Sequence, residues 1–361
     1  MKIAIVGAGN AGCITALHYQ KYLSEKLNNF EIEIYHNPIK YPIERVGQGS
    51  TLAPVELIQS TLRMNWYNNS IDATFKSGIL YEGWGKKNDK IFHPFFMWDM
   101  AMHFIPQKLS KAVLESGYFN VVEKTINDPE KEIDADVIFD CRGRHNRDKS
   151  NYDTLINPLN SVLLYNKEGK DSDLIYTRTV ATPNGWTFVI PNVDSVSYGY
   201  LYNNTITSKE DATEDFLDRF ELPETDGELT FENYVAKNMF VGERTVLQGN
   251  RYGFIEPMEA TSLRIYEDVA RQSWDGIFGI RDISYCNSKM RTIMSEIENI
   301  ILWHYQYGSK YDTPFWEYAK SLPFNPDSKF LNILSGKIDK DEEYGGLWSK
   351  WNFDNWREGV E

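Results

Sequence analysis

Cysteine is scarce. The chain has three in 361 residues, at positions 13, 141 and 286, and none lies in a CxxC pair. So few, odd in number and far apart, they argue against a disulfide framework and a cysteine zinc site, and they suit a reducing compartment. Histidine is nearly as sparse, with six residues and no HxH or HExxH spacing, so a metal site is not expected. No apolar run approaches the roughly 20 residues of a membrane-spanning helix. The apolar N-terminus carries glycines that read as a turn, and no cleavage pattern follows it. A soluble, cytoplasmic protein is the expectation. Basic residues are outnumbered: 38 Lys and Arg face 52 Asp and Glu, for a formal net charge of −14. A chain that acidic is repelled by nucleic acid and by anionic membrane, and neither is expected as a partner. Internal repeats and low-complexity tracts are also absent.

What is present is globular: 42% hydrophobic and 25% charged residues. The length fits two domains, or one with an inserted lobe. Aromatics are abundant, with 10 Trp, 22 Tyr and 19 Phe. Some of these fill cores, and the excess also suits a site that holds flat rings.

Local patterns give an α/β organisation. Residues 2–6 form an apolar strand signal. Residues 10–27 have helical periodicity through Cys13, Ala16, Tyr19, Leu23 and Leu27. Residues 30–35 alternate as a second strand, so the chain opens with a βαβ unit and a parallel sheet. Residues 136–141 supply a further apolar strand. Helices are expected near 54–67, 106–115, 209–220, 261–274, 289–307 and 314–322. Residues 160–205 alternate and are rich in Val, Tyr, Thr and Trp, the signature of antiparallel strands. Residues 325–347 are expected to be surface loops. The tryptophans at 348, 351 and 356 fit either an aromatic sandwich or a contact between copies, which leaves a homo-oligomer open.

Gly7-Ala8-Gly9-Asn10-Ala11-Gly12 is a GxGxxG between a strand and a helix. Gly7 permits the tight turn, Gly9 lets the backbone approach a pyrophosphate, and Gly12 lets helix and strand pack closely. With Ala11, these are candidate dinucleotide contacts. The acidic residue that usually binds the ribose is missing from the end of strand two. His36 stands there and is the candidate in its place. Asp140-Cys141-Arg142-Gly143 ends the later strand. It resembles the strand that passes beneath the adenosine half of FAD in flavoproteins with two dinucleotide domains, which makes Asp140 and Gly143 cofactor candidates.

Further segments keep one order along the chain. They are Val46-Gly47-Gln48-Gly49-Ser50-Thr51, then Ala73 to Ile79 followed by Trp84, then His93-Pro94-Phe95. Gly185-Trp186-Thr187-Phe188-Val189-Ile190-Pro191, Gly199-Tyr200 and Thr207 to Thr213 come next. Phe254 to Ser262, His304-Tyr305 and Asp312 to Trp316 complete the series. Together they resemble the flavin-dependent halogenases, the family of the tryptophan halogenases. The departures are Gln48 for a common Glu, Phe188 for the second Trp of WxWxIP, Ala260 for Ser and Ser262 for Gly. The chain is also shorter than a typical member, with the difference expected in the substrate lobe and C-terminal region.

The resemblance implies a Rossmann-like FAD-binding core over 1–72, 104–150 and 242–300. An interwoven, partly antiparallel substrate lobe would cover 73–103, 151–241 and 301–361. It implies that reduced FAD, O2 and a halide together yield hypohalous acid, which halogenates an electron-rich aromatic substrate such as an indole or phenol. No segment for NADPH is evident, so a separate flavin reductase is implied. Gly47, Gly49, Ser50 and Thr51 would contact the flavin. Lys76 would be the catalytic lysine, either polarising hypohalous acid through its ammonium or forming a haloamine through its amine. Glu259 would stabilise the cationic ring and help remove its proton. The backbone amides of Thr261 and Ser262, at a helix start, would hold the halide. His93, Phe95 and Trp186 would line the substrate pocket. The rival readings are an FAD-dependent aromatic monooxygenase and a non-catalytic flavin-binding protein.

Overall fold

A computed structural model describes residues 1–37, 46–95, 100–169, 175–337 and 343–361. The chain forms two compact units. One comprises Met1–Thr74, Ala101–Thr154 and Tyr234–Arg291. The other comprises Phe75–Met100, Leu155–Asn233 and Thr292–Glu361.

The first unit is built on the expected βαβ opening. Lys2–Val6 is a nearly continuous apolar run, as a strand covered on both faces requires, and Ile3 to Val6 are all buried. It pairs in parallel with Glu31–His36 on one side and with Val137–Asp140 on the other. The full sheet runs Phe240–Val241, Thr245–Leu247, Val137–Asp140, Lys2–Val6, Glu31–His36, Asn120–Glu123. Only the 240–247 hairpin is antiparallel. Alternation sends Ala4, Val6 and Ile138 to one face, where Ile126, Ile133 and Ala135 close over them. Helix Asn10–Lys26 covers the opposite face. Its Tyr19 ring lies 4.9 Å from Phe139, and its hydroxyl bonds Ser273 at 2.9 Å on helix Ser262–Ile277.

The second unit carries a seven-stranded sheet in the order Gly227–Thr230, Ser161–Glu168, Ser195–Tyr202, Gly185–Pro191, Thr177–Thr182, Gly78–Glu82, Lys90–Pro94. All its pairings are antiparallel except that of Thr177–Thr182 with Gly78–Glu82. Helix Lys209–Phe220 buries Ala212 and Phe216 against Tyr198, Tyr200 and Tyr202 of the sheet. Ser208 caps it by accepting from the Asp211 amide at 3.1 Å.

Several local expectations are corrected. The helix expected over 54–67 runs only Ala53–Leu62, because Arg63 turns left-handed at φ 53° and stops it. The helix expected from 289 starts at Ile283 and runs to Gln306. Residues 325–347 are not all loop. Asp327 accepts from the Phe330 amide at 2.8 Å and caps a short helix, Ser328–Leu334, while residues 338–342 lie outside the described residues. The C-terminal tryptophans sit on or beside helix Lys350–Val360. Trp348 and Trp356 are buried inside the second unit, whereas Trp351 is 38% exposed.

Candidate functional site

In the first unit the glycine loop is fixed by close packing. Gly7 has φ 113°, and a Cβ there would stand 2.6 Å from the Cys141 carbonyl oxygen. A Cβ on Gly12 would stand 1.9 Å from the Gly7 carbonyl oxygen, while one on Gly9 would meet nothing within 4 Å. Two glycines are thus demanded by the fold, and the third faces open space where a pyrophosphate can approach the backbone. Ala11 is close-packed against Gly249, where a Cβ would come within 2.3 Å of the Ala11 methyl.

The loop after strand two is tied to this turn. Asn10 Nδ2 donates to Gln48 Oε1 at 2.6 Å, a bond a carboxylate at 48 would make as a charged acceptor. Gln48–Gly49 pairs antiparallel with Ala101–Phe104, and Ser50 exchanges two bonds with Met102, at 2.8 and 3.0 Å. Gly47 is buried and Gly49 half-buried. Thr51 Oγ1 and Asn10 Oδ1 are buried and have no hydrogen-bond partner among the described residues. Such groups fit a polar ligand seated here. His36 ends its strand half-buried, and its carbonyl accepts from the Lys124 amide at 3.0 Å.

Asp140 is 3% exposed and lies between two guanidinium groups. Arg142 reaches it through Nε at 2.8 Å and through a second nitrogen at 2.7 Å; Arg251 reaches it at 3.0 Å. Burial works to raise the carboxyl pKa, but the Arg142 hydrogen bonds and the two positive charges hold it below the usual range. Arg142 also donates to the carbonyls of Ile126 and Asn127, so this anion and cation form a fixed scaffold beneath the adjoining Gly143. Gly143 itself has φ 78° and open space around it.

Glu256 and Glu259 are both buried. Ala260 adopts φ 54°, and its amide donates to the Pro257 carbonyl at 2.9 Å, so a tight turn precedes the helix. That helix starts at Ser262, has no acidic residue in its first turn, and receives no side-chain cap from Thr261. Thr261 is fully buried, and its Oγ1 has no hydrogen-bond partner among the described residues. A helix N-terminus without an acidic side chain retains its positive end and favours an anion.

In the second unit Lys76 is completely buried, and its ammonium stands 5.3 Å from the centre of the Phe95 ring. Complete burial of a lysine is uncommon. Backbone pairing brings the two residues together. Gly78 pairs with Pro94 in the hairpin, and the Phe95 amide donates to the Ser77 carbonyl at 2.8 Å. His93, on the same hairpin, packs its ring 5.2 Å from Trp348 and 5.6 Å from Trp351 and contacts the Asn352 amide through Nε2. Trp186 is buried and donates from its indole nitrogen to the Tyr305 hydroxyl at 3.1 Å. The neighbouring Phe188 lies directly over Gly199, where a Cβ would stand 2.0 Å from the ring. Lys76 ends the strand Thr74–Lys76, which belongs to another sheet, just ahead of the hairpin that carries His93 and leads into Phe95, while Trp186 lies on a different strand of the hairpin's sheet. A separate cavity of 510 Å³, lined by Glu82, Lys90, Arg178, Arg219 and Tyr311 among others, contains none of these four.

Reasoning from sequence did not find Arg142 and Arg251 as the partners of Asp140, Tyr305 as the partner of Trp186, or Asn352 as the partner of His93. Arg142 sits two residues from Asp140 and was within reach of a local pattern. Arg251 is 111 residues away in sequence, and no local signal announces it. Among the described residues, no cluster of three or more His, Cys, Asp or Glu could hold a metal ion, and no helix is long and apolar enough to cross a membrane.

Comparison with known proteins bears on the fold and the family. Tryptophan 7-halogenase RebH of Lentzea aerocolonigenes is 24% identical over 208 residues, covering 53% of this chain and 39% of its own. Tryptophan 6-halogenase ThaL of Streptomyces albogriseolus is 25% identical over 170 residues, covering 45% of this chain and 31% of its own. These alignments span well under half the length of the curated relatives. The flavin-dependent halogenase Xcc4156 of Xanthomonas campestris superposes with a TM-score of 0.83 at 17% identity, covering 100% of this chain and 88% of that one. BrvH, a flavin-dependent halogenase of Brevundimonas sp. BAL3, gives 0.81 at 16% identity over 99% and 89%. At such identities the superpositions establish the fold, a Rossmann-like parallel core accompanied by a mixed sheet. The tryptophan halogenase family model matches residues 2–110 and 104–358, and on that match the chain belongs to the tryptophan halogenase family.

Proposed function

We propose that the protein is an FAD-dependent halogenase acting on an electron-rich aromatic compound, indole- or phenol-like. The observation that carries this reading is the buried Lys76 ammonium against Phe95, in the segment where the family resemblance expects a catalytic lysine. Gly7, Gly9 and Gly12 would hold the pyrophosphate at the start of helix Asn10–Lys26. Gly47, Gly49, Ser50 and Thr51 would border the isoalloxazine, with His36 and Gly143 toward the adenosine half. Asp140 would serve by fixing Arg142 and Arg251. The orphan Thr51 hydroxyl and the open space at Gly9 support the fit of the cofactor.

Reduced FAD with O2 supplies the oxidising equivalents that convert a halide to hypohalous acid. The remaining steps belong to the chain. The amides of Thr261 and Ser262, and the buried Thr261 hydroxyl, would hold the halide. The Lys76 ammonium would donate a hydrogen bond to the oxygen of hypohalous acid. That polarises the oxygen–halogen bond: the halogen joins a ring carbon, and the oxygen leaves as hydroxide and ends as water. Glu259 would stabilise the ring cation and accept its proton. Phe95, His93 and Trp186 would surround the aromatic substrate. A separate reductase would supply the reduced flavin.

The test is a mass-spectrometric assay with FAD, a reducing system, O2, bromide or iodide, and a panel of indoles and phenols. The wild type is expected to give halogenated product, and Lys76→Ala to lose about 100-fold or more, the scale of one removed acid–base or electrostatic group. Equal product from both would mean that free hypohalous acid does the work and Lys76 has no role. Hydroxylated product would mean the monooxygenase. Flavin binding without oxygen-dependent product would mean a non-catalytic flavin protein.

A further inference from the structure

Helix Lys350–Val360 packs along the strand Lys90–Pro94. A Cβ on Gly359 would stand 2.7 Å from the Ile91 side chain, and Asn355 Nδ2 donates to the Phe92 carbonyl at 3.1 Å. One turn earlier, the side-chain nitrogen of Asn352 contacts His93 Nε2. The direction of that contact is fixed by the start of the helix. Asn352 is the third helical residue, and its Oδ1 accepts from the Ser349 amide and from the Ser349 hydroxyl, each at 2.8 Å. Turning the carboxamide over would set its NH2 group against the Ser349 amide hydrogen, donor against donor. The nitrogen therefore faces His93 and donates. An imidazole nitrogen that accepts must carry its lone pair, so His93 is neutral with its proton on Nδ1. The neutral ring has one in-plane lone pair, and Asn352 occupies it. His93 is 4% exposed, with the Trp348 and Trp351 rings packed edge to face against it.

We propose that Asn352 is a positioning residue that protects His93: by holding the Nε2 lone pair in a hydrogen bond, it lets an imidazole border the substrate pocket without being halogenated itself. This rests on the halogenase reading above, in which Lys76 directs hypohalous acid, and deepens it. Phe95, whose ring lies 5.3 Å from the Lys76 ammonium, follows His93 two positions on, the spacing that keeps side chains on one side of an extended chain. An imidazole nitrogen with a free lone pair is a nucleophile towards such an oxidant. The lone pair would take the halogen, the oxygen–halogen bond would break and hydroxide would leave. The Nδ1 proton would pass to that hydroxide, leaving an N-halogenated imidazole and water. With the lone pair held by the Asn352 amide, this path is closed, and the ring face still packs on an aromatic substrate.

The experiment has two readouts. The first is nitrogen NMR of the full chain labelled at its imidazoles, with the His93 signals assigned through His93→Gln; it needs neither flavin nor turnover. The wild type is expected to show His93 as the neutral Nδ1–H tautomer. The second is peptide mapping by mass spectrometry after turnover with FAD, a reducing system, O2 and bromide. His93 should stay unmodified in the wild type. In Asn352→Ala it should gain bromine or oxygen about tenfold faster, the scale of one lost hydrogen bond. Ser208→Ala, which uncaps helix Lys209–Phe220 in the same unit, lowers stability without touching His93 and should match the wild type in both readouts. A wild-type His93 that carries its proton on Nε2, or on both nitrogens, overturns the proposal even if Asn352→Ala fails to fold. So does an Asn352→Ala protein that forms halogenated product with no more His93 modification than the wild type. Absence of halogenated product from the wild type overturns the halogenase reading and this proposal with it, whereas product together with the wrong tautomer overturns the protection alone.

Discussion

The two units hold their interiors together by different means. In the first, the fixed points are charged. Asp140 is shared by Arg142 and Arg251, and Arg244 binds Glu130 while donating to the carbonyls of Glu130, Ile133 and Ala135. In the second, the fixed points are rings. Trp84 meets Trp316 at 5.3 Å and Trp356 at 6.1 Å; His304 meets Trp356 at 4.3 Å and Trp348 at 5.1 Å. The difference follows from the groups each would serve. Loops that face an anionic dinucleotide need directional polar supports, because a small error in their backbone costs hydrogen bonds. A lobe that would hold a flat apolar substrate needs broad, dry, rigid surfaces, and indoles packed edge to face supply these with few rotatable bonds.

That contrast can be broken at its largest point in the ring cluster. Trp356→Ala should lower stability by about 4 kcal/mol through the cavity it leaves, read from the denaturant midpoint followed by tryptophan fluorescence. The charged unit should respond next. Asp140→Asn leaves two partly buried guanidinium groups without their anion and should cost about 3 kcal/mol. Acid probes the same carboxyl without mutation. Its native pKa lies below the ordinary value, so its contribution is complete above the unfolded-state pKa of about 4 and is lost as pH falls through the native value. The stability of the wild type should therefore drop in that window, and Asp140→Asn should remove that part of the drop.

Smaller effects sharpen the comparison. Trp186→Phe keeps a ring but deletes the bond to the Tyr305 hydroxyl, and about 1 kcal/mol is expected. Gly9→Ala should shift stability by less than about 0.5 kcal/mol, since its new methyl meets no neighbour within 4 Å. Its effect should appear instead as weakened FAD binding in a fluorescence titration. Equal losses of stability at Gly9 and Gly12 would contradict the division of labour in that loop.

Much of the architecture was legible from short-range patterns. Helix Lys209–Phe220 lies where it was expected, and Ser208 caps its start. The glycine loop was readable because its strand, turn and helix are consecutive. The early stop at Leu62 was not, since Arg63 is an ordinary residue that the tertiary setting places at positive φ. The helix over 328–334 was hidden by a neighbouring Asn-Pro-Asp and a charged run, although Asp327 is a standard cap. Among the candidate site residues, the closeness of Lys76 and Phe95 follows from the pairing of the hairpin next to them, whereas the complete burial of Lys76 does not.

The sequence by itself determined much of the order of elements and the glycine turn, because each depends on neighbours a few positions apart. The tertiary structure alone decided which side chains are buried and what each one faces. Asp140 meets Arg251 from 111 residues away, and Trp356 closes over His304 from a distant helix. Desolvation and pairing are properties of position in space, and it is these that turn an ordinary lysine such as Lys76 into a confined ammonium against an aromatic ring.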